Sequence, residues 1–241
     1  MRLLPLALTA LSCLIGCDDD TAVCANGQRG PSCSTLEVCP QLTVNSRADI
    51  DSARNCSEID GDLTLLGGTS EITASDFPNL TKVRGNLTVT SFSARDPKLT
   101  NLTLGALQTV GGTLQIANQS TLLTASFPAL TTVGSPGAGS SLQVTFSALR
   151  LLSLPALTTV NGSVQLGPAS QLCSANIRRV TRITGYATLS DLPNIPASAL
   201  RGVVRAASGS SRSAVGCCYP NDSDACNANG AAPSCTTSAC P

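Results

Sequence analysis

Glu58, Asp60 and Asp62 alternate along one short stretch, and by type and spacing they are the residues best suited to do chemistry. Alternate side chains of an extended segment share a face. Three carboxylates so placed could supply the acid and base of a glycosidase or a cradle for calcium. No other part of the sequence points to a cleft that would complete either site, so a solvated edge is the favoured reading. Asn221-Asp222-Ser223-Asp224 is also rich in oxygen, but it lacks the loop pattern of a calcium hand. The chain contains no histidine. That absence removes the commonest general base, the commonest metal ligand and every nucleophile activated by an imidazole. Lys82 and Lys98 are the two lysines, and neither stands in a Ser-x-x-Lys setting. The expectation is a protein that is not an enzyme and holds no cofactor and no metal. The alternative is a polysaccharide-acting envelope enzyme, which would need two carboxylates facing each other across roughly 5 to 9.5 Å.

Lysine plus arginine total 15 and so do aspartate plus glutamate, so the chain has no electrostatic footprint for nucleic acid. Arg178, Arg179, Arg182, Arg201, Arg205 and Arg212 face only Asp191 across residues 177 to 216. Such a set would suit anionic lipid or polysaccharide, but a hydrated face is the simpler reading.

The N-terminus has the layout of an export signal: Met1-Arg2, an apolar run from Leu3 to Ile15, and Gly16 before Cys17. The run is too short to span a bilayer as a permanent helix. Leu14-Ile15-Gly16-Cys17 resembles the lipobox of bacterial lipoproteins. That resemblance implies cleavage after residue 16, lipidation of Cys17 and tethering of the protein to a membrane of the bacterial cell envelope. More than one acyl chain on Cys17 would make the anchor stable.

Twelve cysteines are present. With Cys13 leaving in the signal and Cys17 carrying lipid, the ten others are candidate disulfide partners in an exported chain. Cys24, Cys33, Cys39 and Cys56 come first, Cys173 lies late, and Cys217, Cys218, Cys226, Cys235 and Cys240 close the chain. No C-x-x-C pair suggests zinc.

What must position all of this is a repeat. Phe127-Pro128-Ala129-Leu130-Thr131-Thr132-Val133 has close copies at Phe77 to Val83, Leu104 to Val110 and Leu154 to Val160, and a weaker one from Ile177 to Ile183. A turn follows each copy, then an apolar, polar, apolar triplet. The triplets begin at Leu42, Leu63, Leu87, Leu114, Leu142, Val164 and Ala187, at spacings of 21, 24, 27, 28, 22 and 23 residues. That period belongs to solenoids, and alternation within each triplet makes it a strand. Stacked in register, the triplets give a parallel sheet with an aliphatic interior. Its exterior row, Thr43, Thr64, Thr88, Gln115, Gln143, Gln165 and Thr188, is the candidate binding face. Aromatics make up 2% of the chain and tryptophan is absent, which suits a thin repetitive core. Gly61, Gly85, Gly112, Gly162 and Gly185 precede triplets, where a tight turn would make a Cβ costly.

Both ends show closing elements. Ser46-Arg47-Ala48-Asp49 has the form of a capping box opening a short helix through Ile50, Ala53 and Arg54 to Cys56. Cys39 and Cys56 then suit a staple. From Pro196 to Ala207, Leu200, Val203, Val204 and Ala207 fall at helical spacing, with Asn194 as a cap.

Cys39, Leu42-Thr43-Val44, Asp49-Ile50 and the run from Cys56 through Gly61 to Leu65 resemble the opening of receptor L-domains. The later phrases, Leu-x-x-Val-x-Gly-x-Leu-x-Val in outline, resemble that family's later rungs. The resemblance covers residues 39 to 205 and implies a mainly β chain folded as a right-handed parallel β-solenoid, leucine-rich-repeat-like, with a capping helix. Seven triplets and two closing helices complete the expected architecture. The expected divisions are a signal peptide at 1–16, a lipidated Cys-containing linker at 17–38, the solenoid at 39–207 and a Cys-rich tail at 208–241. The expected function is display of the solenoid at a membrane for adhesion, recognition or envelope organisation, with a surface protein or glycan as partner and no nucleic acid. A structural spacer is the bland alternative.

Overall fold

The computed structural model of the chain describes residues 36–91, 98–137 and 139–195, together with Ala199, Leu200, Val203, Ala206 and Ala207. The signal segment, Cys17, Cys24, Cys33 and the five cysteines of the tail lie outside these residues.

The repeated phrase folds as a turn with apolar anchors. In Phe127-Pro128-Ala129-Leu130 the Leu130 N–H donates to the Phe127 carbonyl at 3.2 Å. Proline at the second position fixes the φ such a β-turn requires. Leu157 repeats the bond to Leu154 at 3.2 Å and Leu80 to Phe77 at 3.4 Å. The three apolar positions of the phrase are buried in every copy, as Phe127, Leu130 and Val133 show at 0% exposure. The threonine after the leucine then grips the coil before it. Thr131 donates both its N–H, at 2.9 Å, and its hydroxyl, at 3.1 Å, to the Gln108 carbonyl. Thr158 does the same to Thr131, and Thr181 to Thr158.

The coils stack as a parallel β-solenoid of about six turns, mainly β with few helices. Each coil contributes short strands to three ribbons. The first holds Lys82–Val83, Thr109–Val110, Thr132–Val133, Thr159–Val160 and Arg182–Ile183. The second holds the triplets: Leu87–Thr90, Leu114–Ala117, Ser140–Thr145, Ser163–Leu166 and Ala187–Leu189. The third holds Glu71–Ile72, Asn101–Thr103, Thr124–Ser126, Leu151–Ser153 and Ser174–Asn176. A long strand, β2 (Cys56–Leu65), pairs through its first half with Lys82–Val83 and through its second with Leu87–Thr90, which joins the first two ribbons into one 12-stranded sheet. The third ribbon is a separate five-stranded sheet. With β1 (Glu37–Val44) paired to β2, the second ribbon carries the seven triplets in register. Around Ser140 the register shifts, in the coil whose link from the repeated phrase to its triplet, Val133 to Leu142, is longer than in the others.

Of the glycines before the triplets, Gly61 and Gly162 hold positive φ, at 142° and 145°, whereas Gly85, Gly112 and Gly185 serve close approach alone. At Gly85 and Gly112 the φ is ordinary, yet an added Cβ would lie 2.2 Å from Asp62 Oδ1 and 2.4 Å from Asn86 Oδ1, oxygens of the preceding coil.

The N-terminal end is closed as the capping box requires. Helix α1 (Arg47–Ser52) starts at Ser46, whose side chain accepts from the Asp49 N–H while the Asp49 carboxylate accepts from the Ser46 N–H at 2.8 Å. Ile50 and Ala53 turn into the core. The helix stops at Ser52, short of the expected Cys56, because Cys56 is already the first residue of β2. Cys39 and Cys56 form a disulfide between the paired strands, with Cα atoms 5.7 Å apart. At the other end Ala199, Leu200, Val203 and Ala206 are helical and buried. Ala207 departs from the expected helical face: although it donates to Val203 at 3.1 Å, it forms a parallel bridge with Ile183 of the last coil. Asn194 spends its side-chain amide on the Ser170 carbonyl at 2.9 Å.

Asp76 locks α1 to the first coil. Its side chain is 1% exposed and meets Arg47 Nη2 at 2.5 Å, while its other oxygen accepts from the Thr73 N–H at 2.7 Å. Burial pushes the Asp76 carboxyl up, but the Thr73 N–H, Arg47 and the Thr73 hydroxyl together hold it below the usual carboxylate range. A carboxyl depressed in the folded state stabilises above its unfolded value of about 3.9, and that stabilisation is lost as pH falls through the folded value. Asp76→Asn is therefore expected to lower stability at pH 7 by about 2 kcal/mol, the scale of hydrogen bonds to a charged group. In urea titrations from pH 7 to pH 2 the gap from wild type should shrink below pH 4. A constant gap would assign the loss to packing.

Candidate functional site

The exterior row forms as one line. Thr43 pairs with Thr64, Thr64 with Thr88, Thr88 with Gln115, Gln115 with Gln143, Gln143 with Gln165 and Gln165 with Thr188. Thr43 is exposed and the other six are half-buried, so the row is a shallow polar surface. Gln115 Nε2 donates to Gln143 Oε1 at 3.0 Å, one step of the amide ladder that parallel in-register strands permit. The middle of the row thus satisfies part of its own hydrogen bonding and presents the remainder outward.

The acidic set is drawn into the stack. Glu58 and Asp60 lie on the first ribbon, one coil before Lys82 and Arg84. Lys82 Nζ stands 3.0 Å from Glu58, Arg84 Nη1 stands 3.1 Å from Asp60, and Arg84 Nε also bonds Glu58. Arg84 first, then Lys82, hold the Glu58 carboxyl below the usual carboxylate range. A carboxylate stabilised as the anion is a poor proton donor near neutral pH. Asp62 takes a separate path, accepting from the Asn86 N–H at 2.7 Å. Among the described residues no group of three His, Cys, Asp or Glu side chains is arranged to hold a metal ion.

Cys173 is disulfide-bonded, and its partner is not one of the described cysteines. Its sulfur, 3.3 Å from the Gln171 carbonyl, therefore has no proton to donate. Arg178, Arg179 and Arg182 are exposed. Arg178 and Arg179 border a shallow hollow of about 390 Å³ with Pro128, Pro155 and Asn176. Arg201, Arg205 and Arg212 lie outside the described residues, as does the Asn221 to Asp224 run.

A second surface has no counterpart among the sequence motifs. An open groove of about 490 Å³ lies where the chain leaves the second ribbon, lined by Asn118, Gln119, Phe146, Ser147, Pro168 and Ser170 among others. Four coils turn this corner through a left-handed residue: Asn118 at φ 54°, Phe146 at 45°, Gly167 at 100° and Asp191 at 48°. Asn, Gly and Asp suit that conformation, whereas Phe146 strains the backbone by about 1–2 kcal/mol. Its ring is also 66% exposed. Three residues after the apolar ends of the triplets, Leu166 and Leu189, stand Ala169 and Leu192, both in the core. At the same position after Ile116 stands Gln119, and Ser147 lies three residues after Val144 in a coil that is one residue shorter before its next core leucine, Leu149. Gln119 is 1% exposed, and among the described residues neither of its amide atoms, nor the buried Ser147 hydroxyl, has a hydrogen-bond partner. Leaving such atoms unpaired costs about 1–3 kcal/mol for each group. The signal available in the sequence is this interruption of an apolar position at Gln119, and it is visible only once the coils are aligned.

No protein-family model, curated protein or solved structure matches the chain.

Proposed function

We propose that the chain is a lipoprotein of the bacterial cell envelope, tethered through Cys17, that displays its solenoid for binding without catalysing a reaction. The observation that carries this reading is the in-register row from Thr43 to Thr188, a continuous polar surface on a parallel sheet. Solenoids bind along extended surfaces of this kind because each coil adds one more equivalent position. The lipobox-like Leu14-Ile15-Gly16-Cys17 supports the anchor, and acyl chains contribute about 0.8 kcal/mol per buried methylene. The Cys39 to Gly61 opening supports a receptor L-domain-like, right-handed coil. The pairing of Glu58 and Asp60 with cations of the next coil argues against the polysaccharide-acting enzyme. A surface protein or glycan is the partner class that such a face suits.

Two measurements test the reading. Thr88, Gln115, Gln143 and Gln165 replaced together by Ala should cut binding of the chain to envelope fractions or cells at least tenfold, with the far-ultraviolet spectrum unchanged. Undiminished binding by that variant would refute display along the row. Radiolabelled palmitate should enter the wild type and not Cys17→Ser, and equal labelling of both removes the anchor.

A further inference from the structure

We propose that the groove beside Phe146 is a binding subsite for a neutral saccharide. This deepens the display reading by naming a ligand class, but it uses a surface separate from the Thr/Gln row. Three independent features converge there. An exposed aromatic ring stands on the rim, held in a backbone conformation that Phe rarely adopts. Strain that the fold tolerates at one residue is a pointer to function. Next to it, Gln119 keeps polar atoms without partners at a position where two later coils place core alanine and leucine, and the Ser147 hydroxyl is without a partner too. Buried polar atoms left unpaired in a native fold require an explanation, and a ligand that pairs them supplies one. Asn118, Ser120 and Ser170 add exposed amide and hydroxyl groups around the same opening.

The chemistry of the lining selects the ligand. Among the described residues no charged side chain lines the groove. An anion or cation would leave its water there without a counter-charge to replace it. The flat apolar faces of Phe146 and Pro168 suit the C–H face of a pyranose ring. Amide and hydroxyl groups both donate and accept, as the hydroxyls of a sugar do. A few convergent polar groups around an apolar platform is the usual composition of a small-ligand site. The Gln119 amide is buried, its Oε1 4.0 Å from where a Cβ on Gly67 would stand, and it reaches a ligand in the groove by a rotamer change of the kind binding commonly brings. The backbone around it is already fixed: the Gln119 carbonyl accepts from the Ala148 N–H at 2.7 Å, and the Phe146 N–H donates to the Pro168 carbonyl at 2.7 Å.

The test is affinity electrophoresis of the full chain through native gels containing dextran, laminarin, mannan or hydroxyethyl cellulose, with heparin and hyaluronate as anionic comparisons. At least one neutral polymer should retard the wild type, and Phe146→Ala and Gln119→Leu should each weaken that retardation at least tenfold. Retardation lost in the Thr88, Gln115, Gln143 and Gln165 quadruple variant but kept by both groove variants would belong to the row and overturn the groove site. Gln119→Leu should also raise the urea midpoint, because it replaces an unpaired amide with an apolar group of similar size. Weaker binding with greater stability is a result that a merely structural glutamine does not give. No retardation by any neutral polymer, or retardation that survives both groove substitutions, overturns the proposal and leaves the row untouched. A Gln119→Leu chain less stable than wild type overturns it too, because the amide is then paired without ligand.

Discussion

Phe127→Ala is expected to lower the unfolding free energy by about 3–5 kcal/mol, the range for emptying a buried aromatic site. Phe127 is fully buried and anchors the turn that hands the chain from the third ribbon to the first. The cavity would open between coils, where the backbone is held on both sides by parallel pairing and cannot close around it. Stability in a stack is set by each coil and its contacts with its neighbours, so one weakened coil divides the column into two shorter ones. Urea unfolding should therefore show a lower midpoint and a broader transition than wild type. Phe146→Ala supplies the comparison. The same atoms are removed from a ring that is 66% exposed, and the unfolding free energy should change by less than about 0.5 kcal/mol, as at ordinary surface positions. Equal losses from the two substitutions would show that Phe127 does not anchor the core.

Gly112→Val should cost about 4 kcal/mol through the opposite fault, too much matter between two coils. A Cβ at Gly112 would sit 2.4 Å from Asn86 Oδ1 and 2.9 Å from the Gly85 carbonyl carbon. The coil beneath has no room to give. The Gly112 N–H donates to the Gly85 carbonyl at 2.8 Å, and the Thr113 N–H donates to Asn86 Oδ1 at 2.8 Å. Overpacking of this kind costs up to about 3 kcal/mol, and at least one coil-to-coil hydrogen bond, worth about 1 kcal/mol, must lengthen or break. Gly139→Ala is the matched control, since a Cβ there meets nothing within 4 Å and the φ is ordinary. Calorimetric or urea midpoints that leave the two variants level would contradict the stacked-glycine account.

Much of the column was legible because its rules are local and repeated. The Phe-Pro-Ala-Leu phrase states its own turn, since proline sets one φ and the apolar residues flank it. The triplets state their own faces, since a strand alternates. Ser46 and Asp49 state the start of α1 within one helical turn, and Cys39 and Cys56 flank that helix 17 residues apart, near enough for a staple. The glycines were legible as tight places, but at Gly85 and Gly112 the cause lies in the coil beneath and not in the dihedral angle. The helix running to Cys56 was misplaced because pairing with β1 claims Cys56 for β2, and strand pairing outweighs helix propensity there.

Sequence alone thus determined the period of this protein, the inward and outward residues of each rung, and the row from Thr43 to Thr188. All of these follow from spacing within a single coil. Only the tertiary structure decided what stands above and below. Lys82 and Arg84 meet Glu58 and Asp60 from a coil 24 residues on, Gln115 reaches Gln143 across 28 residues, and Gln119 falls beside Ser147 without a partner for either. The loops absorb triplet spacings that run from 21 to 28 residues while the outward residues stay in line, so the chemistry of the surface is fixed by which side chains the stacking brings together and not by composition.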